Sequence, residues 1–203
     1  MPRPEQQALR FPNTHGGARI GAGRPRGSRT TTRIPHTKRP SVSRHRPHHI
    51  TVRVSRGTWN LRSQRCFRPI AAALRGTSQH GKLRVVHFSV QHNHIHLIVE
   101  ADSRPSMSRG LRFLISRIAR GLNEVMEASG SRFDDRYHEH ILRTPAEALN
   151  ALRYVIGNRA VHLARWGKSV RTIDDEFCSI AQPTLGVAPT AWLLTESWTR
   201  AGP

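Results

Sequence analysis

The sequence predicts an α+β fold of the ferredoxin-like, split βαβ type, an antiparallel sheet with helices on one face. Residues 49–54 alternate apolar and polar residues, which is typical of a half-buried strand, and three further short segments, 83–90, 94–100 and 135–143, are also predicted as strands. Three longer segments repeat apolar residues every three to four positions, which is typical of amphipathic helices. The order along the chain is β-α-β-β-α-β-α, and a crossover helix followed by a hairpin is the split βαβ arrangement.

The first half of this order lies between residues 49 and 100. Residues 49–54 alternate and form the first predicted strand, which ends before Gly57. Residues 63–79 have helical spacing. Residues 83–90 and 94–100 form two further strands, and the three polar residues between them predict a hairpin.

The second half begins with a long helix at Pro105, whose basic residues fall on or near the face opposite its apolar stripe. Residues 135–143 form a fourth predicted strand. The sequence Thr144-Pro145-Ala146-Glu147 is a capping box with proline at the first helical position, so a last helix begins there and runs to about Arg165. Its predicted apolar stripe consists of Leu149, Leu152, Ile156 and Leu163.

The charge of the chain predicts a polyanionic partner, most simply nucleic acid. The 203 residues include 33 Lys+Arg against 13 Asp+Glu, a net charge of +20. Residues 1–46 contribute ten arginines and one lysine against a single acid, Glu5, with few large apolar residues. We therefore expect a basic disordered arm at 1–47, one domain at 48–165 and a tail at 166–203 that docks on the domain.

Within the arm, Gly23-Arg24-Pro25-Arg26-Gly27 is similar to an AT-hook core, in which flanking arginines lie along the minor groove. A solubilising tail with general phosphate affinity explains the same composition. No apolar run approaches the ~20 residues that span a membrane, residues 1–10 lack the apolar run that is typical of a signal peptide, and the two cysteines form no metal-binding spacing. We expect a cytoplasmic, nucleoid-associated protein.

His94-Ile95-His96 is the sharpest candidate for chemistry. Side chains on a strand alternate between faces, so both imidazoles project on one side and Ile95 points into the core. Two imidazoles at this spacing form half of a divalent-metal site. The alternative is a pair of partly exposed histidines in a chain that contains 13.

Tyr154 lies on the last predicted helix, away from the predicted stripe. Asn158 follows one turn later, so the phenol and the amide project side by side. An amide oxygen could be a third metal ligand, and a phenol could attack a phosphodiester that the metal polarises. A tyrosine there is otherwise an ordinary amphipathic surface residue. His162 continues this face as a phosphate contact or a surface residue.

Residues 48–165 resemble the single-tyrosine HUH transposases, and within them the REP-associated tyrosine transposases. The matching motifs are His94-Ile95-His96, then Tyr137-His138-Glu139-His140-Ile141-Leu142-Arg143, then Tyr154-Val155-Ile156-Gly157-Asn158. The resemblance implies a ferredoxin-like fold, Tyr154 as the nucleophile, and Mg²⁺ or Mn²⁺ bound by His94, His96 and Asn158. Arg159 stands where the family often has proline.

The resemblance further implies an enzyme, monomer or homodimer, that cuts single-stranded DNA beside hairpins through a covalent 5′-phosphotyrosine and then rejoins strands. The DNA would contact the helix arginines, the arm and two further histidines, namely Arg24, Arg26, Arg109, Arg112, Arg120, His140 and His162. Two other interpretations remain open at this point. One is a domesticated hairpin-binding protein that does not cut, and the other is a basic RNA-binding protein.

Overall fold

A sheet of four antiparallel strands forms the centre of the computed structural model, which describes residues 38–79, 83–164 and 175–196, with the backbone alone at 79 and 158–164. The strands are β1 (His48–Arg53), β2 (Arg84–Val90), β3 (His94–Glu100) and β4 (His138–Ile141). Their order across the sheet is β2-β3-β1-β4. The first three strands confirm the prediction within one residue, and β4 is shorter than the predicted 135–143.

Two helices cover one face of the sheet. Helix α1 (Gln64–Gln79) and helix α2 (Arg104–Val125) pack on the apolar residues that β1 and β3 present at every second position. Helix α2 begins where the Ser103 Oγ accepts a hydrogen bond from the Ser106 N–H, with Pro105 in the first turn. The large buried side chains at this contact are Ile50, Val52, Ile95, Leu97 and Val99 of the sheet and Leu111 and Leu114 of α2.

Helix α3 (Pro145–Ala164) lies against the other face, so the prediction that the helices share one face holds for α1 and α2 and not for α3. Its buried side chains are Ala148, Ala151 and Val155, which pack on three apolar residues of this face, namely Val86, Ile98 and Leu142. Val86 reaches this face because an irregularity in β2 shifts the register between Val85 and His87.

The predicted stripe of α3 is wrong by about one position. Leu149, Leu152 and Ile156 are only half-buried, and the side chain of Leu163 lies outside the described residues. The apolar area that this face offers is small, and the two alanines let the helix approach it closely. The capping prediction is confirmed, since Thr144 Oγ1 accepts from the Glu147 N–H and a Glu147 carboxylate oxygen accepts from the Arg143 N–H.

Two flanking segments contact this α+β unit. Arg39 donates to the carboxylate of Glu139 on β4, and the Pro40 carbonyl accepts from Arg104 on α2. After the undescribed residues 165–174, Phe177 packs edge-on against Phe67 of α1, and a short helix, α4 (Trp192–Thr195), joins the apolar cluster around α3. Within the described ranges, no helix has the length and apolarity to cross a membrane.

Candidate active site

The two motif histidines of β3 lie on the sheet face that α3 covers. Ile95 and Leu97 point into the core beneath α1 and α2, so His94 and His96 share the opposite face, as period-two geometry predicts. The centroids of the two imidazole rings are 4.6 Å apart, and the planes meet at 85°. His96 is buried, whereas His94 is half-buried.

Strands β1 and β4 add further histidines to this face. Residues paired across antiparallel strands project on the same side. His49 pairs with Ile98 and with His140, and Thr51 pairs with His96 and with His138. We call the set of His49, His94, His96, His138 and His140 the histidine face.

His49 and Thr51 both contact the buried ring of His96. His96 Nδ1 lies 3.2 Å from His49 Nε2 and 3.1 Å from Thr51 Oγ1. Burial, and to a smaller extent the nearby His140 and His138, lower the pKa of the His49 imidazole from 6.5 to about 4. His49 is therefore neutral at pH 7, so its contact with His96 is a hydrogen bond between two rings and not a repulsion between two cations.

The tautomer of His94 follows from its neighbour. His94 Nδ1 lies 2.8 Å from Asn93 Oδ1, and an amide oxygen only accepts hydrogen bonds. The proton of the neutral ring is thus on Nδ1, and the lone pair is on Nε2. A proton on His96 Nδ1, donated to His49 or Thr51, gives the same result for His96.

Tyr154 on α3 stands over the histidine pair. Its ring centroid is 5.0 Å from that of His96 and 5.8 Å from that of His49, with edge-on interplanar angles of 77° and 67°. The residue is 50% exposed, so the phenol is accessible to a substrate. Val155, next along the helix, is fully buried against the sheet and fixes the turn that holds Tyr154 in this position. One chain supplies both the phenol and the histidine pair.

The donor chemistry of this face fits the divalent cation that the family resemblance implies. Two imidazoles whose Nδ1 atoms contact neighbouring polar groups are suitable ligands through Nε2. Among the described residues, no three His, Cys, Asp or Glu side chains form a metal-binding group. The predicted third ligand is an amide, Asn158, which lies one turn after Tyr154 on α3, and its side chain is outside the described residues.

The other predicted contacts are distributed over the molecule. His140 lies on the histidine face and is about half exposed. Its Nε2 is 4.0 Å from the Glu147 carboxylate. Arg109, Arg112 and Arg120 are exposed on α2, which packs on the face of the sheet opposite Tyr154. The structure therefore does not bring these three arginines to the site. Arg24, Arg26 and the side chain of His162 lie outside the described residues.

The sequence interpretation missed His49 and Thr51. A signal for them exists, because His49, Thr51 and Arg53 alternate with the buried Ile50 and Val52. That alternation places them on the face away from the core. Their pairing with His96 could not be read from the sequence, since it depends on β1 lying beside β3 in the sheet.

Comparisons with known proteins bear on the fold. No family model and no curated protein matches the chain. A REP-associated tyrosine transposase bound to a REP hairpin matches with a TM-score of 0.57 and 16% identity, over 73% of this chain and 84% of that one. A candidate transposase from Deinococcus radiodurans R1 matches with a TM-score of 0.41 and 13% identity, over 63% of this chain and 98% of that one.

The first likeness confirms the predicted resemblance at the level of the fold: this chain has the α+β fold of a REP-associated tyrosine transposase. At 16% identity it shows the fold alone.

Proposed function

We propose that this protein is a transposase-type enzyme that cuts and rejoins single-stranded DNA beside hairpins, with Tyr154 as the nucleophile. The observation that carries the proposal is the position of the Tyr154 ring, 5.0 Å from the ring of His96 and half exposed. An accessible phenol beside a pair of imidazoles suits nucleophilic attack on a phosphodiester.

The reaction needs no external energy source. The Tyr154 oxygen loses its proton to solvent and forms a bond to phosphorus, while the bond from phosphorus to the 3′ oxygen breaks and that oxygen takes up a proton. The products are a free 3′-OH and a 5′-phosphotyrosine. A second 3′-OH then attacks the phosphorus and loses its proton, and the released Tyr154 oxygen takes up a proton, so the number of phosphoester bonds is unchanged.

His94 and His96, with Asn158, would hold Mg²⁺ or Mn²⁺. Bound there, the cation supplies charge stabilisation at the scissile phosphate. The protein's own residues orient the two imidazoles and the phenol. Asn93 orients the ring of His94, His49 and Thr51 orient that of His96, and the packing of α3 positions the phenol.

The substrate class follows from charge and from the structural relative. A net charge of +20 favours a polyanion, and the relative with the same fold is bound to a REP hairpin. We propose hairpin-forming single-stranded DNA as the partner of this chain as well. The cut strand would enter along the exposed side of Tyr154.

A cleavage assay with labelled hairpins from the flanks of the encoding gene, in Mn²⁺ or Mg²⁺, tests this function. On a denaturing gel we expect a protein–DNA adduct that requires the cation and disappears in Tyr154→Phe. Tyr137→Phe is the matched control, because the chain has only two tyrosines and Tyr137 is half-buried under the Arg39 guanidinium. Tight hairpin binding without any adduct would contradict the enzyme and favour a binding protein that does not cut.

A further inference from the structure

The loop that connects β1 to α1, residues 54–63, is hydrogen-bonded to the turn that precedes His94. The Val54 N–H donates to the Asn93 carbonyl at 3.0 Å, and the Leu61 N–H donates to the His92 carbonyl at 3.0 Å. Leu61 is fully buried, so this end of the loop is anchored in the core. The exposed part of the loop, which we call the Trp59 loop (residues 55–60), therefore borders the catalytic end of β3.

This border is strongly basic. Residues 53–68 contain five arginines and no acid. Arg62 is occupied by a nearly buried ion pair, with its Nη2 2.6 Å from Asp175 Oδ1. The other four are exposed, and Arg53 pairs across the sheet with His94 itself. These four are Arg53, Arg56, Arg65 and Arg68.

An exposed aromatic ring stands among these arginines. Trp59 is 43% exposed, and the Arg65 guanidinium carbon lies 5.2 Å from its ring centroid. A turn closed by the Thr58 N–H and the Ser55 carbonyl, with Gly57 at φ +86°, directs the chain outward just before Trp59. A large apolar ring held at the surface beside a guanidinium, in a segment rich in exposed arginines, is the combination that binds single-stranded nucleic acid, because bases stack on the ring and phosphates contact the cations.

We propose that Trp59 is a stacking platform for an unpaired base of the DNA strand, next to the scissile phosphate, and that Arg53, Arg56 and Arg65 contact the adjoining phosphates. This inference rests on the proposed function for the path of the strand. It adds a binding site that recognises unpaired nucleotides and not the hairpin stem. Stacking is tolerant of sequence because every base has a π face, so target choice is left to other contacts.

The test measures affinity and not cleavage. The full chain carrying Tyr154→Phe binds two labelled probes, a blunt DNA hairpin and the same hairpin with a four-nucleotide single-stranded extension. We expect the extension to increase affinity, and Trp59→Ala to reduce binding of the extended probe by at least about fivefold. Binding of the blunt probe should stay within twofold. Trp59→Phe keeps a π face and should retain most of the gain.

Trp192→Ala is the matched control, because Trp192 is 46% exposed and lies next to Ala191, whose N–H donates to Glu100 at the far end of β3. We expect it to bind both probes as the parent does. Affinity falls as the salt concentration rises, and for the extended probe Arg56→Ala should make the slope of log affinity against log salt less steep by about 0.7, since one phosphate contact is lost. A thermal melt of each variant checks that it is folded at the temperature of the binding assay.

The proposal is wrong if the parent binds both probes equally, or if Trp59→Ala binds the extended probe as the parent does. It is also wrong if the effect appears only when the extension is RNA. Each of these results is independent of the adduct assay. A wild-type adduct without any effect of Trp59→Ala would support the proposed enzyme and contradict the Trp59 binding site. An effect of Trp59→Ala without a wild-type adduct would support the binding site and contradict the enzyme.

Discussion

His96 on β3 is a buried imidazole held between two polar neighbours. The ring is buried, and its Nδ1 contacts both the Thr51 hydroxyl and the neutral His49. These contacts hold the orientation of the ring and leave Nε2 as the nitrogen that can face a ligand. The structure thus presents a pre-oriented donor beneath the phenol of Tyr154.

At this scale we predict that His49→Ala weakens Mn²⁺ binding and slows cleavage by about 10- to 100-fold, since partners that orient a metal-binding histidine have effects of that size. The measurement is a Mn²⁺ titration followed by electron paramagnetic resonance, with the adduct rate in parallel. His87→Ala is the control, because His87 is another half-buried histidine whose pKa is lowered by burial; it lies on β2 opposite Ile98, and its Nδ1 contacts the Ser179 hydroxyl. Equal Mn²⁺ affinities in the two variants would refute a positioning role for His49.

The sequence could place site residues together where all of them lie on one strand. His94 and His96 are two positions apart on β3, so the sequence alone places them on one face. The contact of His49 with His96 spans 47 residues and requires the strand order of the sheet. Local periodicity contains no information about that order.

Helix α3 is the element that assembles the site, because it positions Tyr154 over the histidine face. Its buried positions Ala148 and Ala151 are small, which lets the backbone approach Ile98 of β3. The sequence predicted the helix and its cap and not its buried face. Leucines at 149 and 152 give a stronger apolar stripe than alanines do, and only the small apolar area on the sheet selects the alanine side.

We expect Ala148→Leu to overpack this contact, to destabilise the fold by about 1–3 kcal/mol and to displace the phenol. The rate of adduct formation should fall at least tenfold at a temperature where the variant is still folded. Ala146→Leu, at an exposed position of the same helix, should leave both the melting temperature and the rate near wild type. Adduct formation at the wild-type rate by folded Ala148→Leu would mean that the packing of α3 does not position Tyr154.

Across the whole molecule, Glu139 connects three parts of the chain. Its carboxylate is 2% exposed and lies 3.0 Å from Arg39, 2.6 Å from Arg104 and 2.9 Å from His48. It thereby joins strand β4 to the segment before β1, to β1 itself and to the first turn of α2. Burial alone would raise the pKa of Glu139, but the hydrogen bonds and charges of His48 and Arg104 lower it from 4.5 to about 2.

This depressed pKa predicts an acid-sensitive fold. The folded state keeps Glu139 ionised where the unfolded state binds a proton, so its stabilisation is present above pH 4.5 and is lost as pH falls towards about 2. Glu139→Gln should cost about 3 kcal/mol at pH 7 and should flatten the loss between those two pH values. Urea unfolding from pH 2 to 7 measures both effects. The exposed Glu124→Gln is the control, and an unchanged acid transition in Glu139→Gln would contradict this assignment.

The proposed mechanism requires the Tyr154 oxygen to form the covalent bond to phosphorus. The decisive measurement is peptide mass spectrometry of the nuclease-trimmed adduct formed with a cleavable hairpin. We predict a 5′-nucleotide mass on the peptide that contains Tyr154, and none on the peptide that contains Tyr137 or on any serine or threonine. A nucleotide attached at another residue, or a cleaved strand that never becomes attached to the protein, would contradict the central claim.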